Sequence, residues 1–238
     1  ATLALHDGTV RVGLEPQELE TLATNEGIEK INLSNLAVVA AQKAWGATTV
    51  SASLWMCVRA GLPVLVTGGI GGVHRGFAET FDISSDLPAL ARYPVLVVCS
   101  GVKSLLDVQA TREHLETLGV PVLGWKTDRF PRFYLRDSPW HVDARVDTPE
   151  DVARLARLHW ATTGSAIMLA VPVPQDEALT EQELEEYLSI AEFERKSTQP
   201  PVEGRDVTPF ILARLHRHSK GRTFKANVAL IANNTLIG

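Results

Sequence analysis

The chain has 238 residues, 45% of them hydrophobic and 21% charged, the profile of a globular protein long enough to bury a sizeable core. A net charge of −5 and a pI near 5.8 argue against a nucleic-acid surface, which is normally basic, yet leave room for a small phosphate-bearing substrate in a locally positive pocket. No apolar run is long enough to span a bilayer and no signal peptide is visible. Cys57 and Cys99 sit in apolar runs as buried thiols do, which suits a reducing compartment, cytoplasm or organelle matrix.

The chain opens directly into an alternating segment, so we expect an N-terminal part to precede it. Residues 2–6 and 9–13 alternate around Asp7-Gly8 and predict a β-hairpin. Pro16 opens a short helix. Helices are predicted over 34–45, with Ser34 as cap, and over 48–60, whose small residues suit either a core or an oligomer contact. A buried strand at 63–67 leads into the Gly-rich run 68–76. A short helix is predicted at 86–92, a strand at 94–99, a helix over 102–118 and a strand at 121–125. Residues 132–146 read as mixed and extended. Thr148-Pro149-Glu150-Asp151 is a strong helix start for 149–162. A strand over 165–173, an acidic helix over 179–196, a polar loop over 197–207 and two helices at 208–219 and 223–236 complete the chain. The strand–helix alternation predicts a single α/β domain over 1–238 with a mainly parallel sheet.

Four segments could carry chemistry. The run from Thr67 through His74 to Gly76, TGGIGGVHRG, follows a strand; its glycines fit an anion cradle or a tightly packed strand exit. Asp82 and Asp86 are spaced i, i+4, which on a helical turn puts both on one face; oxygen ligands of this kind suit Mg²⁺ or Mn²⁺, and a helix cap explains them equally. Lys103 lies just beyond the strand ending at Cys99, where α/β active sites form, and reads as a Schiff-base nucleophile or an ordinary helix-start lysine. Lys30 has no local pattern. Asn227, Asn233 and Asn234 are poor helix-interior residues in a predicted helix, which a frayed terminus would explain.

In combination these segments resemble one family. TGGIGGVHRG, then FDISSDL, then Cys99-x-Gly101-x-Lys103-Ser104-x-Leu106-Asp107, followed by ETLGVPVLGW, FYLRDSPWHVDARVD, TPFILARL and KANVALIANN, is similar to the ordered signature of the pseudouridine-5′-phosphate glycosidases. The resemblance runs the length of the chain. It implies a single α/β/α sandwich, a homotrimer, a divalent cofactor, usually Mn²⁺, and reversible conversion of pseudouridine 5′-phosphate to uracil and ribose 5-phosphate. It implies no membrane or nucleic-acid partner. By position it makes Lys103 the nucleophilic lysine, Asp82 the metal aspartate and Asp86 the acidic residue beside the metal waters. Lys30, Thr67 and His74 would contact the sugar phosphate, and Asn227 would face the base. Two departures accompany it. The family's general-acid glutamate lies in a segment upstream of residue 1, and the usual K-x-S-R-R-D-L reads here Lys30-Ile31-Asn32-Leu33-Ser34-Asn35-Leu36. These raise an alternative: a catalytically impaired member that binds a sugar phosphate or acts in an assembly.

Overall fold

A computed structural model describes residues 1–238, apart from the side chain of Arg205. The first strands, β1 (Leu3–His6) and β2 (Thr9–Val12), form the expected antiparallel hairpin. Its turn is left-handed at both Asp7 (φ 48) and Gly8 (φ 73), the geometry an Asp-Gly pair adopts most readily. Then come α1 (Pro16–Thr24), β3 (Glu29–Ile31), α2 (Leu36–Ala41), β4 (Gly46–Thr48) and α3 (Val50–Ala60). The order β2-β1-β4-β3 makes a four-stranded mixed sheet. Its two short strands β3 and β4 were absent from the sequence expectations, since three residues are too few to show an alternation. α2 starts two residues later than expected, with Asn35 rather than Ser34 at its N-cap. α3 is core: Val50 to Leu54, Met56 and Cys57 are all buried, so this helix offers no oligomer surface through those residues.

The second half follows the predicted alternation. In order it runs β5 (Val64–Val66), β6 (Val73–His74), α4 (Phe77–Thr80), α5 (Asp86–Arg92), β7 (Leu96–Cys99), β8 (Leu106–Asp107), α6 (Val108–Thr117), β9 (Val122–Trp125), β10 (Ala144–Val146), α7 (Pro149–Thr162) and β11 (Ile167–Ala170). Helices α8 (Glu181–Ser197), α9 (Val207–His218) and α10 (Arg222–Ile237) close the chain. Five strands make a wholly parallel sheet in the order β10-β9-β11-β7-β5. α6 begins at Val108, six residues later than predicted, because Asp107 caps it by accepting from the Ala110 N–H at 2.9 Å.

Strand periodicity sorts the sheet's side chains into two cores. Val97, Cys99, Met168 and Ala170 face the larger one, shared with α3 and α5. Val98, Leu123, Ile167 and Leu169 face the other, closed by Val152 and Ala156 of α7. With both faces covered, the strands read as continuous apolar runs, as parallel strands do. Each fully buried Leu, Val or Ile contributes about 1.5–3 kcal/mol from burial alone. The architecture is a three-layer α/β/α sandwich.

Candidate active site

The carboxyl ends of β5 and β7 continue into loops that pair with each other past the sheet. Thr67 donates to the Val98 carbonyl at 3.0 Å, Ser100 to Gly68 at 2.8 Å, Ile70 to Gly101 at 3.0 Å and Lys103 to Ile70 at 3.2 Å. This extra ladder places half-buried Lys103 beside the Gly-rich run. Gly101 permits the turn that leads to it: its φ is +80, and a Cβ there would lie 1.9 Å from the Pro131 carbonyl oxygen. The ribbon of β6 and β8 pairs His74 with Leu106, bringing the end of the Gly-rich run against the loop after Lys103.

The aspartates do not share a helical face. Residues 81–85 are not α-helical, and Asp86 is the first residue of α5. Asp82 remains partly exposed, with Oδ2 3.6 Å from His74 Nδ1, and its carbonyl accepts from the His74 N–H at 3.1 Å. Asp86 is 3% exposed. Its two oxygens accept from backbone donors, Ser51 N–H at 2.9 Å and Gly71 N–H at 2.8 Å. It thus ties the first turn of α3 to the Gly-rich run, behind the site. A Cβ on Gly71 would fall 2.2 Å from Ser84 Oγ and 2.9 Å from Asp86 Oδ2, so close packing explains this glycine without an anion.

Burial lowers the pKa of His74, and this outweighs the attraction of Asp82; the positive charges of Lys30 and Lys103 push it down further, against Glu192. His74 is therefore neutral near pH 7, able to donate one hydrogen bond and accept another. The charges that act on this imidazole are those of Asp82, Lys30, Glu192 and Lys103. Lys30 is exposed on β3, and the segment after it closes on itself. Asn35 accepts from the Asn32 N–H at 2.9 Å and donates to the Lys30 carbonyl at 3.1 Å, while Asn32 accepts from the Ser34 N–H at 2.8 Å. Asn227 of α10 lies over the loop, its Oδ1 3.4 Å from where a Gly68 Cβ would be. Thr67 borders a cavity of about 260 Å³ that Thr48, Thr49 and Ser53 also line. A larger cavity of about 370 Å³, between Leu36, Trp55 and Tyr93, touches none of the candidate residues.

Among the described residues no group of three or more His, Cys, Asp or Glu could hold a metal ion. A cage of protein ligands does not fit. What fits is a hard cation that keeps most of its waters and touches one carboxylate, as Mg²⁺-like ions do. Asp82 would be the carboxylate to hold it, since both oxygens of Asp86 accept from backbone N–H groups. One residue escaped the sequence reading: Glu192 carries no signal in an acidic helix. Asn234, which a frayed terminus was expected to explain, is instead wholly buried and hydrogen-bonded.

A half-buried lysine, an imidazole and a partly exposed carboxylate at strand-exit loops are the features of an α/β enzyme that acts on a small molecule. The model of the family described as "Indigoidine synthase A like protein" matches residues 1–238, and the chain belongs to that family. It is 45% identical to a pseudouridine-5′-phosphate glycosidase of Symbiobacterium thermophilum, over 100% of this chain and 78% of that protein. One from Geobacillus kaustophilus is 42% identical with the same coverage. Among solved structures it is similar to the prealnumycin C-glycosynthase AlnA in complex with ribulose 5-phosphate: 35% identity, TM-score 0.89, 99% of this chain and 78% of that one.

Proposed function

We propose that this chain cleaves the carbon–carbon glycosidic bond of pseudouridine 5′-phosphate, giving uracil and ribose 5-phosphate through a Schiff base on Lys103. The observation that carries the proposal is the placement of half-buried Lys103 by the loop ladder at the carboxyl ends of β5 and β7, beside the run that ends at His74 and its partner Asp82. The relatives' names support the substrate, and the AlnA complex supports C-glycosidic chemistry with a pentulose 5-phosphate in this fold.

A C–C bond to uracil offers no basic leaving-group oxygen, so protonating the bond itself achieves little. The Lys103 amine instead attacks C1′; the C1′–O4′ bond breaks and O4′ takes a proton. The nitrogen lone pair then forms the C1′=N bond while the C1′–C5 electron pair departs with uracil, which is protonated at C5. Water hydrolyses the iminium to ribose 5-phosphate and free lysine. Lys30 and the hydroxyls beside Thr67 hold the anionic substrate, Asn227 faces the base, and His74 relays a proton with Asp82 as its orienting partner. Asp86 serves by holding the Gly-rich run in place. A water-rich Mn²⁺ or related cation on Asp82 would supply positive charge beside the sugar phosphate. A homotrimer accords with the exposed apolar row Phe224, Val228 and Ile231 on α10, and light scattering tests it.

The decisive experiment measures uracil released from pseudouridine 5′-phosphate with Mn²⁺, and borohydride trapping of ribose 5-phosphate on the protein. Trapping at Lys103, abolished in Lys103→Ala, is expected. A folded chain that neither releases uracil nor forms an adduct overturns the proposal. Sugar-phosphate binding without an adduct favours the impaired, ligand-binding alternative.

A further inference from the structure

We infer that Asn234, on the last helix, is the positioning residue that fixes the two strand ends bearing the reactive loops; its catalytic meaning rests on the Schiff-base reading above. Asn234 is fully buried. Its Nδ2 donates to the Thr67 carbonyl at 2.9 Å and to Ser100 Oγ at 3.2 Å, and Ser100 Oγ lies 3.3 Å from its Oδ1. Thr67 is the residue after β5, and Ser100 the residue after β7. One amide therefore spans the two loops at the point where they leave the sheet.

Downstream of that point the two loops pair with each other, alongside anchors such as Asp86 on the Gly71 N–H and the Phe133 N–H on the Ser100 carbonyl. Ser100 donates to Gly68, Ile70 to Gly101 and Lys103 to Ile70, so a shift at Thr67 or Ser100 is passed along the ladder to Lys103. The same contact sets α10. Leu230 and Asn227, one and two turns before Asn234, both face Gly68. Fixing residue 234 thus fixes the placement of Asn227 over the loop as well. An apolar residue could fill the space, but would leave the Thr67 carbonyl without its side-chain donor. This explains an asparagine in mid-helix, where its own propensity is unfavourable.

The test uses Asn234→Leu, which keeps the approximate shape and removes the hydrogen bonds, and Ser100→Ala, which keeps the bond to Thr67. Two readouts are compared in folded protein: the rate of borohydride trapping of ribose 5-phosphate at Lys103, and amide hydrogen exchange at Ile70, Ser100 and Lys103. Asn234→Leu is expected to slow trapping and speed exchange at those amides by about tenfold each, and Ser100→Ala by about threefold, in keeping with one to three lost hydrogen bonds. Trapping unchanged within twofold in Asn234→Leu, whatever the exchange, makes the residue merely structural and overturns the inference. If Asn234→Leu does not fold, Ser100→Ala decides alone, and no change in either readout overturns it. If the parent chain traps no adduct, the Schiff-base reading fails by itself; faster exchange at Lys103 then still supports the positioning role, and unchanged exchange refutes it.

Discussion

Replacing Asp86 tests whether this buried carboxylate serves the fold or only the substrate. It accepts from the Ser51 and Gly71 N–H groups at 2.9 and 2.8 Å, in a site 3% exposed. Hydrogen bonds to a charged group contribute about 1.5–3 kcal/mol each, so two are worth about 3–6 kcal/mol. Removing the carboxylate also recovers part of its burial penalty, several kcal/mol for an ion. The net loss expected for Asp86→Ala is about 3 kcal/mol, and for Asp86→Asn, which keeps one acceptor and turns an NH₂ toward the other donor, about 2 kcal/mol. For a chain of this size that lowers Tm by about 6–12 °C in the alanine variant. Calorimetry with urea melts followed by circular dichroism measures it. A Tm within about 2 °C of the parent for both variants would refute the reasoning, and lost activity alongside it would put Asp86 in contact with substrate instead.

Gly71→Ala places a Cβ 2.2 Å from Ser84 Oγ and 2.6 Å from Ser84 Cβ, and is expected to destabilise by more than about 2 kcal/mol in urea melts. Burial pushes the Cys99 thiol up to about 12 and raises that of Cys57, so neither should react with a thiol reagent until the chain unfolds; one fast native thiol would contradict this. The carboxyl of Glu183 is held below its ordinary range by the Thr180 N–H first, then by the Thr180 hydroxyl and Arg222. A depressed folded pKa stabilises above the unfolded value of 4.5 and is lost as pH falls through the lower folded value. Glu183→Gln should therefore flatten the acid limb of the stability–pH curve, by under about 1 kcal/mol because the group is solvent-screened.

What was legible in the chain was what repeats. The apolar runs 63–67, 94–99, 121–125 and 165–173 bury both faces and became the central strands, while the hairpin was announced by the alternation of 2–6 and 9–13 around Asp7-Gly8. What was not legible was set by contacts between distant segments. β3 and β4 exist because β1 and the Trp45 carbonyl offer them partners, not because three residues favour extension. α6 starts at Val108 because Lys103 to Asp107 are drawn into the loop ladder and the pair with β6.

The site shows the same division more sharply, through its two aspartates. Asp82 and Asp86 belong to one short motif and have the same side chain, yet they do opposite work. Asp82 is partly exposed and pairs with His74, so its charge is available to a ligand or a cation. Asp86 meets backbone donors from Ser51 and Gly71, 35 and 15 residues away, so its charge is spent internally. Spacing on one helix would have made them equivalent; breaking the helix at 81–85 separates them. The distinction has a physical consequence at His74. With Asp86 committed to backbone donors, only Asp82 and, more weakly, Glu192 favour the imidazolium, against burial and two lysines. Turning Asp86 toward His74 would add a third carboxylate and raise the imidazole's pKa toward its unperturbed range, giving up the neutral form on which the proposed proton relay depends.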